Sequence, residues 1–363
     1  MIAEKSSVEI RPFDSSDVDD IVLLLNNEYK ADFTRDWWKW KYEENPSGFR
    51  GSEGDIFVAE SEGKVVAHYA ILPERFRFHS KILDVAQAVD AVTHPAYRGM
   101  GLFSTLAKKV LSEAKERYRF VYAFPSEGAY RGQLKLGFHD LSPLPIRVNI
   151  LNYDSYFRRT VGDYVISRGR KFFYRTSSQM TNHSRNAFSR KAVGEKVKIE
   201  RVESFGDDFN GFWDRVGSCY GAILERNAAF LNWRFSKKFR LYNILLARSS
   251  KNDVVGYVVS RSTVDTVIIV DLVTLPNESG VASQLIDAAV GGGFSSGVDC
   301  VQVCFPKWHD AAGVFSRKGF VSPVRPVLKK VYAPQFIYFN LQEGQPVPSA
   351  GEWFFTYADT DFM

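Results

Sequence analysis

Val8-Glu9-Ile10-Arg11 alternates apolar and polar residues, which predicts a short strand. Pro12 follows, Asp14, Ser15 and Ser16 offer caps, and Val18, Ile21, Val22 and Leu25 recur at helical spacing. Ile56–Ala59 and Val65–Ile71 read as two strands joined by the turn Glu62-Gly63-Lys64, hence as a hairpin. Val85 to Val92 predicts another strand, which runs into Pro95, Gly99 and Gly101. Leu102, Phe103, Leu106, Val110, Leu111 and Ala114 then mark one face of a helix. Phe120 to Phe124 is the next strand, and Pro125 ends it. Trp37, Trp38 and Trp40 sit on an aromatic helix face before Asn45-Pro46. Trp40 is assigned to the core, and Trp37 or Trp38 are candidates for a pocket wall.

The second half repeats this order. Trp40-Lys41-Tyr42 pairs with Trp233-Arg234-Phe235, and Asp55–Ala59 with Asn243–Ala247. Val65–Tyr69 pairs with Val254–Tyr257, Pro95 with Pro276, and Lys135–Phe138 with Arg317–Phe320. Five matches in one order argue for duplication of one αβ unit.

Composition narrows the function classes. Among 363 residues, 45% are hydrophobic and 15% aromatic, which excludes disorder as the main state and supplies a large core. A net charge of +5 does not by itself point to nucleic acid. Charge is uneven, however: residues 158–198 carry eleven Lys or Arg against Asp163 and Glu195. That stretch is either a solvated linker or a patch for an anionic partner such as tRNA or an anionic membrane surface. Cys300 and Cys304 lie four apart on one predicted strand, about 13 Å from each other and beyond disulfide reach. With Cys219 as the third cysteine there is no disulfide framework, and no Cys/His cluster predicts a metal site. A polar N-terminus and no apolar run approaching ~18 residues predict a soluble, cytoplasmic protein.

The segment with chemistry is Asp90-Ala91-Val92-Thr93-His94-Pro95-Ala96-Tyr97-Arg98-Gly99-Met100-Gly101-Leu102-Phe103. A strand ends, a glycine-rich turn follows and a helix begins. The first helical turn offers unpaired N–H groups and a positive dipole end, and glycines let an anion approach the backbone. The amides of Gly99, Met100, Gly101, Leu102 and Phe103 are the expected phosphate donors, with Ser104 next to them and the charge of Arg98 beside them.

Arg98 to Phe103 resembles the Arg-x-x-Gly-x-Gly/Ala acetyl-CoA signature of the GNAT N-acetyltransferases. Phe103 departs from it, because the family prefers a small residue there. Lys135-Leu136-Gly137-Phe138 resembles the family's closing Lys-x-Gly-Phe, so the resemblance covers residues 8–140. The whole chain resembles a tandem GNAT protein, as in the enhanced-intracellular-survival-type, mycothiol synthase and Fem groups. The implied fold is α/β of the α+β type, with two domains, each a mixed, mostly antiparallel twisted sheet flanked by helices. The expected boundaries are 1–150 for an acetyl-CoA-binding domain and 151–198 for the basic linker. A degenerate second copy takes 199–335, and an aromatic, acidic tail docks on the body over 336–363. In the second copy Thr274 to Val281 lacks the glycine loop, and Glu278 would repel a phosphate.

The resemblance also implies roles. Ala91, Val92 and Thr93 would contact the pantetheine arm through their backbone, while the acceptor amine attacks the thioester directly. The family's acid is a Tyr four residues before the Gly of Gly-Phe, where this chain has Gln133 and its second half Phe315. Tyr130, one turn earlier, is the first candidate acid, with a packing tyrosine as the alternative. Asp90 is the first candidate base, set on the same strand face as Val92 by alternation, and Glu127 the second; His68 and His94 are weaker ones. Asp359, Asp361 or the terminal carboxylate are candidates for an acceptor site in a cleft shared with the second half. The expected function is transfer of an acetyl group from acetyl-CoA to the primary amine of a small molecule, such as an amino sugar of bacterial surface-polysaccharide metabolism. The alternatives are a Fem-like transferase using aminoacyl-tRNA and a non-catalytic acyl-CoA sensor. DNA is not an expected partner.

Overall fold

The computed structural model describes residues 7–49, 51, 54–156, 179–184, 186–187, 196–235, 240–295, 297–322 and 335–360. Most of the basic stretch 158–198, together with Asp361 and Met363, lies outside them. The chain forms two compact units, Met1–Pro143 with Pro334–Ala350, and Leu144–Ala333 with Gly351–Met363.

In the first unit, β1 (Glu9–Pro12), β2 (Ile56–Ser61), β3 (Lys64–Phe78) and β4 (Lys81–Thr93) lie side by side and antiparallel. Glu62 and Gly63 both have positive φ, as the tight β2–β3 hairpin requires. β3 and β4 run longer than the apolar runs Val65–Ile71 and Val85–Val92, because Pro73 and the polar positions beyond it hide the extension. β5 (Phe120–Ala123) pairs parallel with β4, and α3 (Leu102–Ala114) makes the crossover between them. α3 buries Leu102, Leu106, Ala107, Val110, Leu111 and Ala114 on the sheet face that carries Ala67, Tyr69 and Ile71. α1 (Val18–Tyr29), the single turn α2 (Arg35–Trp38) and α4 (Glu127–Lys135) complete the unit, with Thr34 capping α2 and Ser126 capping α4.

After α2 the helix widens to a π turn over Lys39–Glu43. The extra residue shifts the phase, so Trp38 rather than Trp40 is the fully buried tryptophan, stacked between Phe13 and Tyr42.

In the second unit the order is β8-β10-β11-β12-β13-β7. The strands are β7 (Ile146–Ile150), β8 (Lys198–Val202), β10 (Asn243–Arg248), β11 (Val254–Ser262), β12 (Thr266–Thr274) and β13 (Cys300–Cys304). As in the first unit, four antiparallel strands lead through a helix, α7 (Ser279–Ser295), to a parallel fifth strand. The remaining elements are β9 (Ala222–Leu224), α5 (Asp208–Gly217), α6 (Ala228–Arg234) and α8 (Ala312–Arg317).

The unit boundaries differ from the sequence expectation. Ile146–Ile150, placed in the first domain by position, pairs antiparallel with β13 in the second sheet. The strand Gln335–Asn340, placed at the start of the tail, inserts between β5 and β6 (His139–Pro143) in the first sheet. In each sheet the parallel strand has a second edge that needs a hydrogen-bonding partner, and a segment distant in sequence supplies it. Beyond Gly351, Trp353–Phe354 pairs parallel with β9. Asp359 is buried there by a two-pronged bond from Arg226, at 2.6 and 2.7 Å, so this carboxylate is a structural anchor.

Candidate functional site

β4 ends at Thr93, Pro95–Tyr97 makes a single 3₁₀ turn, and Gly99 and Gly101 follow with φ of 81° and 77°. A side chain in that conformation is strained, and space is open where a Cβ would stand on either glycine. Gly101 starts α3 with no side-chain cap. Among the described residues nothing accepts from the backbone N–H groups of Gly99, Met100, Gly101, Leu102, Phe103 and Ser104. Six consecutive amide donors thus stand at the positive end of a 13-residue helix, a cradle of the kind that suits an anion.

Arg98 stands at the cradle, half-exposed. Its Nε donates to the Thr93 carbonyl at 3.2 Å, and its Nη2 pairs with Glu28 Oε2 at 2.5 Å. Phe103 does not project over the glycines. Its ring lies edge-on to Tyr69, 5.6 Å between centroids, and so close to α4 that a Cβ on Gly132 would come within 2.8 Å of it. The departure from a small residue is thus matched by a glycine on the facing helix.

The strand beside the loop is open where a ligand arm would run. β4 and β5 are in parallel register only at Ala86↔Val121 and Gln87↔Tyr122. β4 continues for six residues beyond Gln87, through Ala91, Val92 and Thr93. A bulge re-aims it: Ala70 pairs with Val89 and His68 with Val92, leaving Tyr69 opposite both Asp90 and Ala91. Asp90 has φ of 50°, unusual for a non-glycine residue. Three side chains hold it there. Lys41 Nζ and Tyr42 Oη reach Oδ2 at 2.7 and 2.5 Å, and His68 Nδ1 donates to the Asp90 carbonyl at 2.8 Å.

This geometry changes the readings of the candidate acid and bases. The Asp90 carboxylate is 8% exposed and ion-paired, so it anchors the bulge and is not a free base. His68 is fully buried, and burial lowers its pKa. His94 spends Nδ1 on the Ala96 amide, as a cap. Tyr130 gives its proton to Asp140 Oδ2 at 2.5 Å, a bond that raises its pKa and commits that proton to Asp140. Glu127 stands exposed in the first turn of α4. Gln133, at the family's acid position, is buried, and its Nε2 donates to the Tyr69 hydroxyl at 3.3 Å. Tyr69 and Glu28 escaped the sequence reading because neither carries a motif, and only the fold brings them to the loop.

The matching turn of the second unit is built differently. Asn277 donates its amide to Asp310 Oδ2 at 3.4 Å, and the Glu278 amide goes to the Leu275 carbonyl. A carboxylate already sits at that turn. Among the described residues no cluster of His, Cys, Asp and Glu is suited to a metal, and no helix is long and apolar enough to cross a membrane.

Comparisons with known proteins agree with this geometry. Residues 9–138 match the model of an acetyltransferase (GNAT) domain. No curated protein matches. A probable N-acyltransferase of unknown function from Enterococcus faecalis superposes with a TM-score of 0.64 at 14% identity, covering 93% of this chain and 73% of that one. A GCN5-related N-acetyltransferase from Anabaena variabilis gives 0.60 at 14% identity, with the same coverage. The N-myristoyltransferase of Saccharomyces cerevisiae, solved with myristoyl-CoA, gives 0.53 at 12%, covering 93% and 84%. Loop, bulge and family match coincide in one stretch of chain, residues 9–138, which match the model of a GNAT acetyltransferase domain.

Proposed function

We propose that this protein is an N-acyltransferase that moves an acetyl group from acetyl-CoA to the primary amine of a small molecule. Amino sugars of surface-polysaccharide metabolism are the first acceptor class to test. The observation that carries the reading is the row of uncommitted amides from Gly99 to Ser104, over two glycines whose Cβ positions are open. A pyrophosphate fits such a cradle, being anionic and rich in acceptors. Acetyl-CoA supplies the activated thioester.

The chain's own residues do the rest. The amides and Arg98 hold the phosphates. The stretch of β4 beyond its pairing with β5, at Ala91, Val92 and Thr93, aligns the arm, and the clamp on Asp90 keeps that stretch in shape. Glu127 is the candidate base. It stands exposed in the first turn of α4 and carries two acceptor oxygens. The second unit, with its similar strand succession and a carboxylate at its turn, is read as a duplicated copy that does not bind CoA.

The test is thiol release from acetyl-CoA over a panel of amines, with mass spectrometry of the products. The panel starts with amino sugars, and one arm varies acyl length, since a fold neighbour holds myristoyl-CoA. One amine acetylated per thiol released supports the proposal. Binding of acetyl-CoA without turnover of any amine would favour a sensor.

A further inference from the structure

We propose that Tyr69, on β3, is the proton donor to the leaving thiolate, with Gln133 of α4 as the residue that positions it. The inference rests on the acetyl-CoA reading above and supplies a group which that reading lacks.

Three observations converge on Tyr69. It lies opposite the β4 bulge, in the gap of the pairing between His68↔Val92 and Ala70↔Val89. Its side chain is on the face covered by α3, packed edge-on against Phe103 next to the amide cradle. Its hydroxyl accepts from Gln133 Nε2 at 3.3 Å, and among the described residues its own proton is committed to no acceptor. The contrast with Tyr130, whose proton belongs to Asp140, is direct.

Gln133 carries a second signal. It is 3% exposed, and its Oε1 is buried with no hydrogen-bond partner among the described residues. Burying an acceptor without a partner is costly, so such an atom points to a donor that arrives with a ligand. An amide N–H of a pantetheine arm is a donor of that kind. Burial pushes the Tyr69 hydroxyl up to about 12, so it is protonated at neutral pH, as an acid must be.

The step balances as follows. The acceptor nitrogen forms a bond to the thioester carbonyl carbon, the carbon–sulfur bond breaks, and its electron pair goes to sulfur. The Tyr69 Oη proton moves to that sulfur, giving the thiol. The proton that the nitrogen sheds to the base returns to the phenolate through water. No oxidant or metal is required.

The test uses the full-length protein with Tyr69→Phe and with Tyr69→Phe/Gln133→Tyr, which returns the hydroxyl to α4. Tyr69→Phe should lower kcat about 100-fold, while calorimetry gives an acetyl-CoA Kd within about twofold of wild type and thermal melting stays close to it. The double variant should recover a large part of kcat, which a packing role for the Tyr69 hydroxyl would not produce. A readout independent of turnover is the affinity for free CoA at pH ~9, above the ~8.5 of an ordinary thiol. There Tyr69→Phe should bind several-fold more weakly, because the thiolate loses its donor. Wild-type kcat in Tyr69→Phe, or a loss that the double variant does not restore, overturns the assignment. Failure of wild type to bind acetyl-CoA at all would instead overturn the reading beneath it, and the calorimetry separates the two.

Discussion

Replacing Arg226 with Met should be among the most damaging single changes in the second unit. Arg226 is fully buried, and so are the carboxylates of Asp271 and Asp359 that it pairs with. Asp271 also receives Tyr257 Oη at 2.6 Å and Thr356 Oγ1 at 2.9 Å, while Asp359 takes the Thr356 amide at 2.7 Å. The network therefore ties the C-terminal turn Tyr357–Asp359 to β12 and to the loop before α6. Methionine fills much of the volume but leaves two buried carboxylates without their cation. Removing one partner of a buried pair costs about 3–5 kcal/mol. Burial pushes the Asp359 carboxyl above the usual carboxylate range, and Arg226 pulls it back. In the variant this carboxyl takes up a proton more readily in the folded than in the unfolded state, so stability should recover as pH falls toward 5. The assay is denaturant unfolding combined with hydrogen exchange in the peptide spanning 351–360, at pH 5 and pH 8. A cost below about 1 kcal/mol at pH 8, or equal costs at both values, would refute the reasoning.

Burial lowers His309 to about 4, its ring fixed between the Tyr220 hydroxyl and the Ala311 amide. The folded pKa lies below the ordinary 6.5, so the contribution is complete above pH 6.5 and is lost as pH falls toward 4. It amounts to roughly 3 kcal/mol at most. His309→Gln should flatten the stability profile in that window, and an unchanged profile counts against the assignment. Glu28→Gln frees Arg98 from its exposed carboxylate partner and should tighten acetyl-CoA binding by about two- to fivefold, in keeping with a surface pair worth up to ~1 kcal/mol. Equal or weaker binding would show that Glu28 does not compete with the phosphates.

The parts of the fold written in local pattern were legible in the sequence. The β2–β3 hairpin, the strand before the loop, the two glycines and the apolar stripe of α3 all appear where periodicity and turn residues put them. The glycine turn and its row of amides were legible because a turn at a helix start involves only adjacent residues. What escaped depends on distant contacts. No local signal shows that Ile146–Ile150 joins the second sheet or that Gln335–Asn340 joins the first. The π turn that buries Trp38 in place of Trp40 is a phase slip of one residue, invisible to a count at 3.6. Asp90 reads as a base from its position beside Val92. Only the bulge and the approach of Lys41, Tyr42 and His68 reveal that its carboxylate is taken. Tyr69 reads as one more aromatic in a strand until Gln133 is seen to reach it.

The central claim is that the loop between β4 and α3 holds the phosphates of acetyl-CoA. The most direct measurement is calorimetric titration of acetyl-CoA into wild type, Gly101→Ala and Gly101→Glu. Both substitutions strain a backbone with φ of 77°, but only glutamate places a carboxylate in the cradle. The account predicts one site in wild type, weakened in the alanine variant and abolished in the glutamate variant. Undiminished affinity in Gly101→Glu would contradict it.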